Sequence, residues 1–121
     1  MSEQTDSLNL LRDALRVFVA ERDWAQFHSP KNLASALSVE AAELLEPFQW
    51  LSTGHLDQLS AEKYTAIRHE MADVLTYLVL LADNLKVDLI AATQEKMALN
   101  ALKYPVAQVR GDARKYADYQ D

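Results

Sequence analysis

The sequence predicts an all-α fold, a bundle of four main helices in one domain spanning residues 1–121. Three observations predict it. Apolar residues recur at the helical spacing i, i+3, i+4, i+7 along most of the chain. Two glycines and three prolines are too few for a turn-rich β-sandwich or a flexible linker. No stretch alternates apolar and polar residues with the period of two that a half-buried strand requires.

The first helix carries Leu8, Leu11, Leu15, Phe18 and Val19 on one stripe, with Asp6 or Ser7 as its N-cap after a short polar segment, residues 1–6. It should fade around Arg22 to Trp24. Residues 24–30 read as a loop that ends in Ser29 as N-cap and Pro30 at the first helical position, where proline's missing N–H costs nothing. The second helix sets Leu33, Leu37, Leu44 and Phe48 on one side, and Pro47 should kink it or stop it early. Residues 52–59, with Gly54 inside, form a long loop. The third helix runs from about Ser60 to Leu85; it is apolar nearly all round from Val74 to Ala82, which predicts neighbours on every side there. Asp88 caps a fourth helix that passes through Ala91, Met97 and Leu102 to Tyr104, where Pro105 stops it. Residues 106–121 show no period and read as an irregular tail.

Composition narrows the function. Zero cysteines exclude disulfides, thiolate metal sites and cysteine nucleophiles together. A net charge of −6 argues against a general binder of nucleic acid or anionic membrane, which needs a basic surface. The amino terminus has two acids and no basic residue ahead of its first apolar stretch, unlike a signal peptide, and Val74–Ala82 is too short to span a bilayer. A cytoplasmic location is expected.

The chemistry-bearing pattern is acidic. Glu40 and Glu43 lie three apart on the second helix, and Glu70 and Asp73 three apart on the third, so each pair shares a helical face. Spacing alone decides little: chance gives roughly two or three such pairs in a chain this acidic, and five are present, the others being Glu3/Asp6, Glu43/Glu46 and Asp118/Asp121. Position is more telling. Glu40 interrupts the stripe of Leu33, Leu37 and Leu44, and Glu70 falls between Ile67 and Val74. Neither they nor Glu43 has a lysine or arginine three or four residues away, and Asp73 has only His69. Inward carboxylates without local cations need a counter-charge, because an unpaired buried carboxylate is very costly. Two such helices facing each other would gather four carboxylates, a donor set suited to magnesium. A di-iron bundle would want Glu-x-x-His, and none of His28, His55 or His69 follows an acid at that spacing. A solvated or salt-bridged acidic face fits the same residues.

These acids, Glu40-x-x-Glu43, 26 residues, then Glu70-x-x-Asp73, resemble the signature of the all-α MazG-like nucleoside triphosphate pyrophosphatases. The likeness continues through Arg22-Asp23-Trp24, Phe27-His28, Pro30 and Asn32-Leu33, Phe48-Gln49-Trp50, Asp73-Val74-Leu75, Tyr77-Leu78, Lys96-Met97, Asn100, Lys103-Tyr104-Pro105-Val106, Arg110-Gly111 and Lys115-Tyr116, in the order of the dCTP pyrophosphatase branch. It covers residues 8–119. What the resemblance implies is hydrolysis of a nucleoside triphosphate, of dCTP or a modified dCTP, to the monophosphate and pyrophosphate, as house-cleaning of the nucleotide pool. Glu40, Glu43, Glu70 and Asp73 would hold Mg2+ and form the catalytic set, one of them, with Glu43 the candidate, also accepting the proton of water. Trp24, Phe27, His28, Trp50 and Tyr77 match positions lining the nucleotide pocket, and Lys96, Asn100 and Tyr104 would contact phosphate or sugar. The resemblance also implies a homodimer or homotetramer whose pocket borrows residues from a neighbouring chain. Two positions depart from the pattern: Pro47, which bears on the angle of Trp50, and Leu15, where relatives place a polar side chain facing substrate. The contrasting reading is a catalytically idle bundle that binds nucleotide or a protein partner.

Overall fold

The computed structural model describes residues 6–113. Among these the secondary structure is entirely helical: α1 (Ser7–Glu21), α2 (Pro30–Leu45), α3 (Ala61–Leu85) and α4 (Leu89–Lys103), followed by one short turn of helix, α5 (Val106–Val109). The backbone divides into two compact units between Lys86 and Val87. The first holds α1 to α3, with α2 laid along α3 and α1 against the latter's C-terminal half.

Each main helix begins where a side chain can satisfy an orphan backbone N–H. Asp6 accepts from Leu8 N at 2.9 Å, Ser29 from Asn32 N at 3.1 Å, Ser60 from Lys63 N at 3.1 Å and Asp88 from Ala91 N at 3.0 Å. The ends are equally specific. After α1, Asp23 takes a left-handed φ of 54°, so that Asp23 N reaches Ala20 O and Trp24 N reaches Val19 O. That is a Schellman ending built without glycine. α2 stops at Leu45: Pro47 has no N–H for the Glu43 carbonyl, and the N–H of Glu46 takes that acceptor instead, tightening residues 46–48 into a 3-10 turn. Lys86 ends α3 at a left-handed φ of 59°.

Two stretches expected to be irregular contain short helix. Ala25–Phe27 and Leu56–Gln58 are single 3-10 turns, in the first loop and in the Gly54 loop. Val106–Val109, expected as tail, is helical because Pro105 fixes an entry and offers its carbonyl to both Gln108 N and Val109 N. The remainder of that tail, residues 114–121, lies outside the described residues, as do residues 1–5.

The core of the first unit is small. Val19 on α1, Leu33 on α2, and Ile67, Val79 and Ala82 on α3 are its buried side chains. Leu33 is the most enclosed. The expectation of neighbours all around Val74–Ala82 is met on one face only: Val79 and Ala82 are buried while Leu75 and Leu78 stay exposed. An ion pair braces α1 to α3, with Arg16 Nε donating to Asp83 Oδ2 at 2.9 Å and its Nη2 to the other oxygen. The second unit holds α4 and α5, and α4 buries none of its side chains fully.

Candidate active site

Lying α2 along α3 brings the two acidic pairs together. Carboxylate oxygens of Glu40, Glu43 and Glu70 lie within 4.8 Å of one another. Asp73 joins through its carboxyl group, which is hydrogen-bonded to that of Glu40. All four acids named from the sequence therefore meet, although Asp73 is exposed while the other three are partly buried. Among the described residues, no lysine or arginine is paired with any of them.

Their crowding has an electrostatic signature. Partial burial, the hydrogen bond to Asp73 and the charges of Glu43, Asp73 and Glu70 all disfavour the ionised form of Glu40, pushing its carboxyl up to about 7. Glu70 Oε2 is buried and has no hydrogen-bond partner. A buried oxygen of this kind costs stability unless something fills its coordination. The donor set is all oxygen and anionic, which fits a hard divalent cation such as Mg2+. Glu40, Glu43, Glu70 and Asp73 are the residues that would hold it.

Asp73 also borders a cavity of about 330 Å3. Leu15, Phe18 and Val19 from α1 form one wall and Thr76, Tyr77 and Leu80 from α3 another, with Trp24 and His28 closing it from the loop between α1 and α2. Phe18 meets Trp24 edge to face, ring centroids 5.9 Å apart, and the guanidinium of Arg22 stands 3.7 Å over the Phe18 ring. The wall is aromatic and apolar, with the Phe18 ring held between Trp24 and Arg22. Of the residues expected at the pocket, Trp24, His28 and Tyr77 line this cavity. Phe27 and Trp50 do not: Phe27 is 60% exposed, and Trp50, in the turn after α2, is 88% exposed. Lys96 and Asn100 lie on α4 and Tyr104 at its C-cap, in the second unit.

Sequence reasoning missed Phe18 and Thr76 as cavity residues. Phe18 fits the apolar stripe of α1 so well that nothing marks it as more than packing. Thr76 carried a usable signal, since it lies three residues after Asp73 and interrupts an aliphatic run with a hydroxyl.

Comparison with known proteins identifies the family. The MazG-like family matches residues 35–119, a span that contains all four acids. The chain is 45% identical over 103 residues to human dCTP pyrophosphatase 1, covering 84% of this chain and 61% of that protein, and 47% identical to the rat protein over the same shares. It thus spans about three fifths of the length of these curated relatives. The crystal structure of a pyrophosphatase from Archaeoglobus fulgidus DSM 4304 superposes with a TM-score of 0.76 at 41% identity, covering 82% of this chain and 93% of that one. With two facing acidic pairs on an all-helical frame and a family match over most of its length, the chain belongs to the MazG-like family.

Proposed function

We propose that this protein is a Mg2+-dependent nucleoside triphosphate pyrophosphohydrolase acting on dCTP or a modified dCTP. One observation carries the reading: a cluster of carboxylates that needs a cation opens, through Asp73, onto an aromatic-walled cavity of about 330 Å3. The likeness to the human and rat dCTP pyrophosphatases and to the Archaeoglobus pyrophosphatase supports it.

In the reaction, water forms a bond to the α-phosphorus and the bond from that phosphorus to the α–β bridging oxygen breaks, giving monophosphate and pyrophosphate. A triphosphate brings up to about four negative charges to a chain already at −6. A bound Mg2+ would neutralise that charge and polarise the phosphoryl oxygens. The chain's own work is to hold and orient. Glu40, Glu43 and Glu70, with Asp73 beside Glu40, would hold the cation from two helices, and Glu40 would have to give up its proton to take part. One of the four acids also accepts the proton of water, and Glu43, beside Glu40 and Glu70, is the candidate. Trp24, Phe18 and Tyr77 would pack against the base while His28 and Thr76 offer polar groups to its edge or to the sugar. Lys96, Asn100 and Tyr104 are assigned to the phosphate and sugar.

Self-association belongs to the same proposal. Trp50 and Phe27 reach a nucleotide only if a second copy completes the pocket, as a homodimer or homotetramer, and the exposure of both side chains supports that assignment. No helix among the described residues is long and apolar enough to cross a membrane, and we place the enzyme in the cytoplasm, turning over free nucleotides rather than a nucleic acid polymer.

Amide substitution of each acid separates ligand from base. Glu70→Gln and Asp73→Asn should weaken Mg2+ binding, measured by calorimetry, together with turnover. Glu43→Gln should lose turnover, with a smaller change in metal affinity if it serves as the base. Full activity in all three variants, or undiminished activity in EDTA, would remove the acid cluster from the chemistry.

A further inference from the structure

The loop that carries Trp24 and His28 is not seated on solid core. Behind it lies a second cavity of about 200 Å3, lined by Ala25 and His28 from the loop and by Val19, Leu33, Leu80 and Asn84 from the three helices. His28, Val19 and Leu80 line both cavities, so the loop stands as a partition between them. Packing alone cannot hold a partition with space on both sides, because van der Waals contacts are lost across any gap. Side-chain amides hold it instead. Asn84, near the end of α3, donates from Nδ2 to the carbonyl of His28 at 2.9 Å, across 56 residues of sequence. Asn32, in the first turn of α2, donates to the preceding carbonyl, that of Phe27, also at 2.9 Å.

The Trp24 end of the loop is tied to α1 by Trp24 N to Val19 O, and its other bonds are local: Phe27 N to Trp24 O, His28 N to Ala25 O, and Gln26 Nε2 to Asp23. They give the loop its 3-10 shape without fixing where that shape sits on α3. Asn84 supplies that link, to the helix that also bears Glu70, Asp73 and Tyr77. We infer that Asn84, assisted by Asn32, is a positioning residue that holds His28 and its end of the loop at a fixed distance from Tyr77 and the acids, and thereby sets nucleotide affinity. This rests on the nucleotide-pocket reading given above. Without the tie, the His28 end of the loop can settle into the cavity behind it, the His28 side of the pocket recedes from Tyr77, and the acid cluster is left untouched.

The test uses Asn84→Ser and Asn84→Asp in the full chain, with dCTP as the probe. Serine shortens the donor out of reach; aspartate keeps the shape but removes the donor. The expected result is a KM for dCTP raised about tenfold with kcat changed less than twofold, and Mg2+ affinity unaltered. Hydrogen exchange should quicken at residues 24–29 while the amides of α2 and mid-α3 keep their protection. Wild-type activity with unchanged KM in both variants overturns the positioning role alone. A uniform loss of protection and melting temperature in both also overturns it, by making Asn84 a general stability residue. A wild-type protein that turns over no nucleotide defeats the pocket reading, and the inferred effect on affinity falls with it.

Discussion

At the scale of the residue, the most informative side chain is Glu40. Its carboxyl is pushed up to about 7 by partial burial and by three neighbouring acids. In the metal-free protein the folded state therefore holds a proton that the unfolded chain releases near the ordinary glutamate value. Stability from this group is fully present below that ordinary value and is lost as pH rises through about 7. In EDTA, Glu40→Gln should thus melt higher than wild type at pH 8, and the advantage should vanish near pH 5. Added Mg2+ should reverse the order at pH 8, since the ion stabilises only the chain that can bind it. A melting curve for each protein at the two pH values checks both signs. Trp50 gives a complementary prediction. Because it is 88% exposed, Trp50→Ala should leave the melting temperature unchanged, yet raise KM for dCTP if a second copy brings this ring to the base. At this scale the sequence was only partly readable. The four acids stood out because they interrupt apolar stripes without local cations. The link between Arg16 and Asp83, and that between Asn84 and the His28 carbonyl, did not, because each joins residues more than 50 positions apart with no periodic signal.

At the scale of the element, start and stop signals were legible wherever the physics is local. Asp6, Ser29 and Asp88 cap the helices they were expected to cap, Ser60 caps the helix expected to start near it, and Pro47 ends α2 through the one acceptor it cannot serve. The left-handed endings at Asp23 and Lys86 were not legible, since both positions lack the glycine that usually announces them. This gives a direct test: Lys86→Gly should raise stability by about 0.5–1 kcal/mol, read from denaturant melts, by relieving the Cβ clash of the left-handed conformation. Gly54 is the converse case. Its φ is 78°, and a Cβ there would stand 2.7 Å from the Phe48 ring. Gly54→Ala should destabilise by about 1–3 kcal/mol. The loop around it has little slack, because Thr53 N and Gly54 N both donate to Gln58 Oε1 while Gln58 Nε2 donates to Ser52 Oγ. Leu33→Ala, at the most enclosed core position, should cost about 2–5 kcal/mol.

At the scale of the whole molecule, the all-α class followed from periodicity and scarce glycine, while the packing did not. Helical period says which residues share a face; it does not say that the Leu75 and Leu78 side of α3 stays exposed while Val79 and Ala82 are buried. The pocket was legible only in part for the same reason. Trp24, His28 and Tyr77 were expected there and line the cavity, whereas Phe18 reads as an ordinary core residue until the chain turns back at Asp23 and brings Trp24 against it. What unites these features is a division of labour between helix faces: α2 and α3 hold the acids, while α1, the loop after it and the Thr76–Leu80 side of α3 line the cavity beside them. The measurement that tests this account most directly is release of monophosphate and pyrophosphate from a panel of deoxy- and ribonucleoside triphosphates, with Mg2+ and with EDTA. The expected result is Mg2+-dependent conversion of dCTP or a modified dCTP to monophosphate and pyrophosphate in preference to the rest, abolished by EDTA. A folded protein that binds nucleotide but hydrolyses none of the panel would contradict it.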